Sequence, residues 1–128
     1  MLLCFSCFSI QNIVSQEKVW FDVNGNTTTK KKAVYYRVSS NDKKENKIII
    51  DYYISGKKAK ESFLVKGKKE GKFVEFYATG EVKIIGVFED GLREGTWKTY
   101  YNNGKMKEKG KYSKGEKIGV WKLFYKNN

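Results

Sequence analysis

An all-β fold, an elongated antiparallel β-meander of consecutive 24-residue β-hairpins, is predicted by two observations. The first is a 24-residue period in the positions of glycines and large aromatic residues, a spacing typical of stacked repeat proteins. It is clearest at Gly71, Gly95 and Gly119 and, two positions later, at Phe73, Trp97 and Trp121. The second is the alternation of aromatic and β-branched segments with glycine-containing turns, which predicts strands joined as hairpins.

The period divides most of the chain into copies of one unit. We predict complete copies at 47–70, 71–94 and 95–118, with a half copy at 119–128. The first copy is degenerate, because Ile49 stands where later copies have tryptophan and Ser62 stands in the place of Gly86. One hairpin cannot bury an apolar face alone, so the copies must stack on one another.

The third copy illustrates the predicted hairpin. Residues 96–102 form the outgoing strand, and Asn103-Gly104 is the strongest short-range signal for a type I′ turn. Residues 105–113 form the return strand, in which successive side chains point to opposite faces. One face is then predicted to carry Lys105, Lys107, Lys109 and Lys111, and the other Met106, Glu108, Gly110 and Tyr112.

Two glycines lie in the middle of predicted return strands. Gly86 and Gly110 occupy equivalent positions, 24 residues apart. Glycine inside a strand lowers stability and often marks a close approach of another group. We therefore expect both glycines to leave room for a neighbouring aromatic ring.

Residues 17–46 are predicted to cap the repeats with further strands. Glu17–Val23 is a strand that ends at the turn Asn24-Gly25, and Ala33–Ser39 is a second strand. Between them, residues 27–32 are a polar link with one helical turn, capped by Thr28 or Thr29. A polar loop at 40–46 leads into the first copy.

Residues 1–16 have the features of a secretory signal peptide. The apolar stretch from Leu2 to Ile10 is too short to span a bilayer but matches an h-region, and the small residue Ser15 suits cleavage at residue 15 or 16. A positive n-region is missing, which is explained if the true start lies upstream. A buried N-terminal strand is the alternative interpretation. Cys4 and Cys7 lie inside this segment, without the context of a redox or metal site.

Composition excludes several classes of chemistry. The 128 residues contain 26 Lys plus Arg, 14 Asp plus Glu and no His, for a net charge of +12. Without histidine there is no Ser-His-Asp triad, no Cys-His pair and no His-ligated zinc. We predict a protein that is not an enzyme, with no catalytic residues, no cofactor and no metal ligands.

The third copy resembles the MORN repeat variant family, which includes YwqK-type antitoxin repeat proteins. The pattern G-x-W-x-x-Y-Y-x-N-G, followed by G-x-Y-x-x-G, carries the resemblance across about residues 47–128. The resemblance implies an elongated β-meander and a binding role, toward proteins or acidic lipid head groups. Matching residues in the third copy are Trp97, Tyr100, Tyr101, Asn103, Gly104, Gly110, Tyr112 and Gly115.

Two sets of side chains are candidate partner-binding residues. An aromatic set on one face of the outgoing strands is Tyr52, Phe76, Tyr100 and Phe124, and a lysine set on the return strand is Lys105, Lys107, Lys109 and Lys111. The lysines could bind polyanions, or they could form a solvated face that prevents aggregation. Nucleic acid is disfavoured as a partner, because only Arg37 and Arg93 are arginine and the aromatics follow a structural register.

Two acidic features have simpler interpretations than catalysis or metal binding. Asp51 and Glu75 occupy equivalent slots and could form an acid/base pair, although pairing with lysine across the sheet explains them better. The stretch from Asp22 to Asn26 loosely resembles a calcium loop, but a turn accounts for it.

These observations predict a non-enzymatic exported repeat protein that acts as a protein-interaction or envelope-binding module. We expect it to be secreted or periplasmic, at the cell envelope, without a transmembrane segment in the mature chain. Its partner is an unidentified protein or an anionic component of the envelope. The alternative is an antitoxin-like regulator that neutralises a partner toxin by direct binding in the cytoplasm.

Overall fold

The computed structural model describes residues 16–39 and 44–126, which form a single antiparallel sheet. The strands follow one another along the sheet in chain order, and the short β5 pairs with β4 beside β6. The predicted antiparallel meander is therefore confirmed. The strands are β1 (Glu17–Phe21), β2 (Tyr35–Ser39), β3 (Asn46–Tyr53), β4 (Lys58–Val65), β5 (Lys68–Lys69), β6 (Gly71–Phe76), β7 (Val82–Glu89), β8 (Leu92–Tyr100), β9 (Met106–Ser113) and β10 (Glu116–Leu123).

The turns within hairpins differ in type from the prediction. In the described residues the φ of Gly104 is +82°, whereas Asn103 is not among the residues with positive φ. The N–H of Gly104 donates to the carbonyl of Tyr101, and the N–H of Tyr101 donates to the carbonyl of Lys105. This is a three-residue loop with a type I turn and a left-handed glycine. The predicted type I′ turn at Asn103-Gly104 is thus wrong, because the loop is one residue longer than that turn allows.

Type I′ geometry occurs instead between consecutive copies. Lys66-Gly67, Asp90-Gly91 and Lys114-Gly115 have positive φ at both positions. The carboxylates of Glu70 and Glu94 accept hydrogen bonds from the backbone N–H groups of the turn residues Asp90 and Lys114, at 2.7 and 2.8 Å. These acidic residues, which precede a glycine in each copy, stabilise the turns.

A β-bulge recurs at the start of each return strand. Thr99 is opposite Glu108 and Tyr100 is opposite Met106, so Lys107 has no partner across the strand pair. Earlier copies have the same register shift, between Asp51 and Tyr52 and between Glu75 and Phe76. The extra residue of the bulge is Ala59 in the first copy and Lys83 in the second. A bulge bends a strand and redirects the side chain of the extra residue.

The N-terminal strands extend the sheet. β1 pairs with β2 along its whole length, and β2 pairs with β3 from Tyr35 to Arg37. A 3₁₀ helix at Lys30–Lys32 confirms the predicted helical turn, but the side chain of Thr29 makes no capping hydrogen bond. The capping role of residues 17–46 stays a prediction. The predicted signal segment lies outside the described residues, apart from Gln16.

The core is small, as a single sheet requires. The buried apolar side chains of the described residues are Ala59, Phe73, Val74 and Trp97. Phe73 and Trp97 belong to the predicted aromatic register, so the repeat period also defines the core. The described segments contain no helix that is long and apolar enough to cross a membrane.

Candidate binding surface

Five aromatic rings, one from each of the neighbouring strands β6 to β10, form the centre of one face. We call this set the aromatic spine and the face that carries it the aromatic face; its members are Phe73, Phe88, Trp97, Tyr112 and Trp121. Neighbouring ring centroids lie 5.1–5.8 Å apart. Most of the pairs meet edge to face, and such pairs contribute about 0.5–1.5 kcal/mol each beyond the burial of area.

The two mid-strand glycines make the spine possible. A Cβ atom on Gly86 would lie 2.2 Å from Cδ2 of Trp97, and one on Gly110 would lie 2.1 Å from Cδ2 of Trp121. Each indole ring therefore lies directly on the backbone of the preceding strand. This confirms that the glycines leave room for a ring, and it explains how Trp97 reaches across β7 to Phe73.

A cation lies over the spine once in each copy. The side chains of Lys69, Arg93 and Lys117 are 24 residues apart. Arg93 lies 4.3 Å from the Trp97 ring centre, and Lys117 lies 4.1 Å from that of Trp121. Lys69 lies between Phe73 and Phe88. Burial lowers the pKa of Lys69, and the charges of Lys60 and Arg93 lower it further. Contacts of this kind stabilise by about 0.5–1 kcal/mol at exposed sites.

Tyrosine hydroxyl groups connect successive copies. The hydroxyls of Tyr53, Tyr77 and Tyr101 donate to main-chain carbonyls 23 residues further on, at 2.6, 2.7 and 2.9 Å. Burial raises the pKa of the Tyr53 hydroxyl above its ordinary value. The 24-residue period relates these three tyrosines, but their hydrogen-bonding role was not predicted from the sequence. The signal was a tyrosine that directly follows another aromatic residue in each copy, and only packing could distinguish the two.

The predicted aromatic contact set does not stack into a ladder. Three of its members contribute the main-chain carbonyls that accept the tyrosine hydrogen bonds: Phe76, Tyr100 and Phe124. Within the described segments, no ring contact joins these residues to one another, whereas Tyr52 stacks on Tyr36 at 5.3 Å. Equivalent residues lie two strands apart, and the strand between them contributes Val82 or Met106, which are not aromatic. Their role in binding stays a prediction.

The face opposite the spine carries lysines, and we call it the lysine face. Of the predicted lysine set, Lys109 and Lys111 lie on it, because they alternate with Gly110 in β9. Lys105 lies in the turn before β9, and the amine of Lys107 lies 5.7 Å from the ring centre of Tyr101. The expectation that all four lysines line one strand face is therefore wrong, because the bulge redirects Lys107.

Three lysines lie directly side by side on the lysine face. Lys109 is opposite Lys98 on β8 and opposite Lys122 on β10, and we call these three residues the lysine row. None of them forms an ion pair with a carboxylate of the described residues. Like charges directly opposite one another destabilise a sheet. The row could not be predicted from the sequence, because its register depends on the bulges.

Three shallow hollows follow one another along the lysine face, one in each copy. Their volumes are about 270, 490 and 290 Å³. The first hollow contains Ser62, the second Gly86 and the third Gly110, which are equivalent residues. The second and third hollows share Thr96 and Lys109, so they form a continuous groove across the strands.

The acidic residues that sequence analysis examined are paired or form turns. The carboxylate of Asp51 accepts two hydrogen bonds from the guanidinium of Arg37, the shorter of them 2.6 Å long. The carboxylate of Glu75 accepts a hydrogen bond from the amine of Lys83 at 3.1 Å. The carboxylate of Asp22 accepts the N–H groups of Asn24 and Asn26 at 2.9 Å, and the bond from Asn26 does most to lower its pKa. Across residues 16–39 and 44–126, no cluster of three potential metal ligands occurs.

A family comparison agrees with this repeat geometry. The model of the MORN repeat variant family matches residues 69–90 and 93–114. Two adjacent segments of the chain therefore match MORN repeat variants, as the sequence resemblance predicted. MORN repeats indicate a repeat protein that functions in binding. Among curated proteins and among solved structures, none matches this chain.

Proposed function

We propose that this protein is a non-enzymatic, exported binding module whose lysine face docks an anionic partner, either a protein or a component of the cell envelope. The lysine row is the observation that carries the proposal. Three adjacent lysines that have no carboxylate partner among the described residues lower the stability of the sheet. An anionic partner would instead be attracted to them. Lys98 and Lys109 lie on interior strands, so protection of an open sheet edge does not explain them.

Export is supported by the sequence of residues 1–16, an uncharged apolar segment followed by a small residue. All charged residues follow this segment, so the charge of +12 would belong to the mature protein. With both cysteines inside the proposed signal segment, the mature chain would contain no cysteine and would suit an oxidising compartment.

Cell fractionation with mass spectrometry of the N-terminus tests the proposal. We expect a mature chain that begins near Gln16 or Glu17, found in the periplasm, the envelope or the medium. An uncleaved chain confined to the cytoplasm would overturn export and favour the antitoxin-like alternative. Retention by an envelope fraction, lost when all three residues of the lysine row are changed to Gln, would support the assigned face.

A further inference from the structure

The second and third hollows combine apolar floors with a rim of lysines. Ile85 and Val87 line the second hollow, and Ile118 and Val120 line the third. Several of these side chains are open to solvent: Val87 is 45% exposed and Val120 is 84% exposed. The lysines that line the two hollows are Lys72, Lys98, Lys109, Lys111 and Lys122. The groove therefore offers apolar contact and positive charge together.

The groove has a charge polarity along its length. Glu61 and Glu70 line the first hollow, whereas no carboxylate of the described residues lines the second or the third. The first hollow, which contains Lys72 beside these two carboxylates, is therefore less favourable for an anionic ligand than the other two. Lys109 belongs to both of the basic hollows and also to the lysine row, which makes it the centre of the positive region.

The spacing of the two basic hollows matches an extended peptide. Equivalent residues of successive copies lie two strands apart, and a strand spacing of about 4.8 Å places them about 9.6 Å apart. An extended chain of the polyproline II type rises about 3.1 Å per residue, so every third side chain recurs at about 9.3 Å. Acidic residues between the apolar ones would keep such a chain extended by mutual repulsion.

We propose that the second and third hollows bind an extended acidic peptide segment that carries two apolar side chains three residues apart. This inference rests on the proposed function and names the partner class. Each apolar side chain occupies one hollow, and the acidic residues between them pair with the lysine row. Nucleic acid fits less well, because neither arginine nor an aromatic ring is among the described residues that line these two hollows.

Fluorescence anisotropy with labelled synthetic peptides tests the proposal on the full chain. The first probe is a ten-residue acidic peptide with two leucines separated by two acidic residues. The matched probes have the same composition, with the leucines adjacent or five residues apart. We expect the first probe to bind about tenfold more tightly than either matched probe, because only its two leucines reach both hollows.

Protein variants assign the site. Changing Lys98, Lys109 and Lys122 together to Gln should weaken binding of the first probe about 30-fold at low salt. Changing Lys31, Lys32 and Lys57 to Gln removes the same net charge from other exposed positions and should change binding less than threefold. Val87→Ser with Val120→Ser tests the apolar floor at exposed positions, so that the sheet stays folded, and should reduce the preference for leucine spacing.

The possible outcomes separate this inference from the proposed function. Equal binding of all three probes, with loss in the lysine-row variant, would overturn the peptide inference and leave an anion-binding face. Tighter binding to vesicles with anionic lipids or to single-stranded DNA than to any peptide would also overturn it. If neither peptides, vesicles, DNA nor polyphosphate bind the lysine face, both proposals fail.

Discussion

The two faces of the sheet treat positive charge in opposite ways. On the aromatic face, Arg93 and Lys117 lie over aromatic rings. On the same face, Lys83 forms an ion pair with Glu75, and Lys117 forms one with Glu108. On the opposite face, the lysine row has like charges as its neighbours. The repeat thus uses its aromatic face to hold the stack together. The other face bears a charge arrangement that folding alone does not favour.

The largest expected effect concerns the centre of the aromatic face. Trp97 is 2% exposed and contacts three rings of the spine. Trp97→Ala should lower the free energy of unfolding by about 3–5 kcal/mol, because it removes a buried aromatic and leaves a cavity. Denaturant unfolding measures the loss. Val120→Ala, at an exposed position of the lysine face, is the control and should change it by less than about 0.5 kcal/mol.

The glycine beneath that ring should give the next effect. Gly86→Ala places a methyl group in the position that the Trp97 indole occupies, and it should destabilise by about 1–3 kcal/mol through overpacking. A double-mutant cycle with Trp97→Ala checks the cause, because the cost of the methyl group should largely disappear once the ring is absent. Additive costs would show that the clash with the ring is not the reason.

The tyrosine that joins two copies should matter less. Tyr77→Phe removes the hydrogen bond from its hydroxyl to the carbonyl of Tyr100, 2.7 Å long, and should cost about 0.5–1.5 kcal/mol. Thermal unfolding measures this loss, with Tyr125→Phe as the control. Because Tyr125 is 85% exposed, its substitution should leave the stability unchanged. Equal effects at both positions would contradict a linking role for the hydroxyl.

The same lysine substitution should have opposite signs on the two faces. Lys109→Gln relieves repulsion in the lysine row and should stabilise the protein by about 0.2–1 kcal/mol at low salt. Lys83→Gln breaks the pair with Glu75 and should destabilise it by up to about 1 kcal/mol. Both effects should shrink in 1 M salt, where the Debye length is about 3 Å. Destabilisation by Lys109→Gln would show that the row has a structural partner.

The smallest effect is a pH dependence far from both faces. The turn amides hold the pKa of Asp22 below its ordinary value of 3.8, so its contribution to stability is present above pH 3.8 and is lost as pH falls through the lowered value. The difference in Tm between the protein and Asp22→Asn should therefore be constant near neutral pH and should vanish in acid. A difference that persists at the lowest pH would argue against the carboxylate as its source.

Sequence analysis predicted the repeat well and the lysine arrangement poorly. The period of 24 residues identified three members of the spine, Phe73, Trp97 and Trp121, and the role of Gly86, because those residues stay in register regardless of small irregularities. Simple alternation failed at Lys107, which occupies a bulge. The period also relates Phe76 to Tyr100, yet these two rings do not contact each other, because the intervening strand lacks an aromatic residue at the matching position.

By itself, the sequence determined the antiparallel meander, its period and the residues that pack at its centre. These features depend on residue type and spacing, since glycine turns, aromatic strands and mid-strand glycines act locally. The tertiary structure alone decided the turn types, the bulges and therefore the pairing of Lys98, Lys109 and Lys122. A shift of one residue changes which side chains meet across two strands, and that shift arises only when the strands pair.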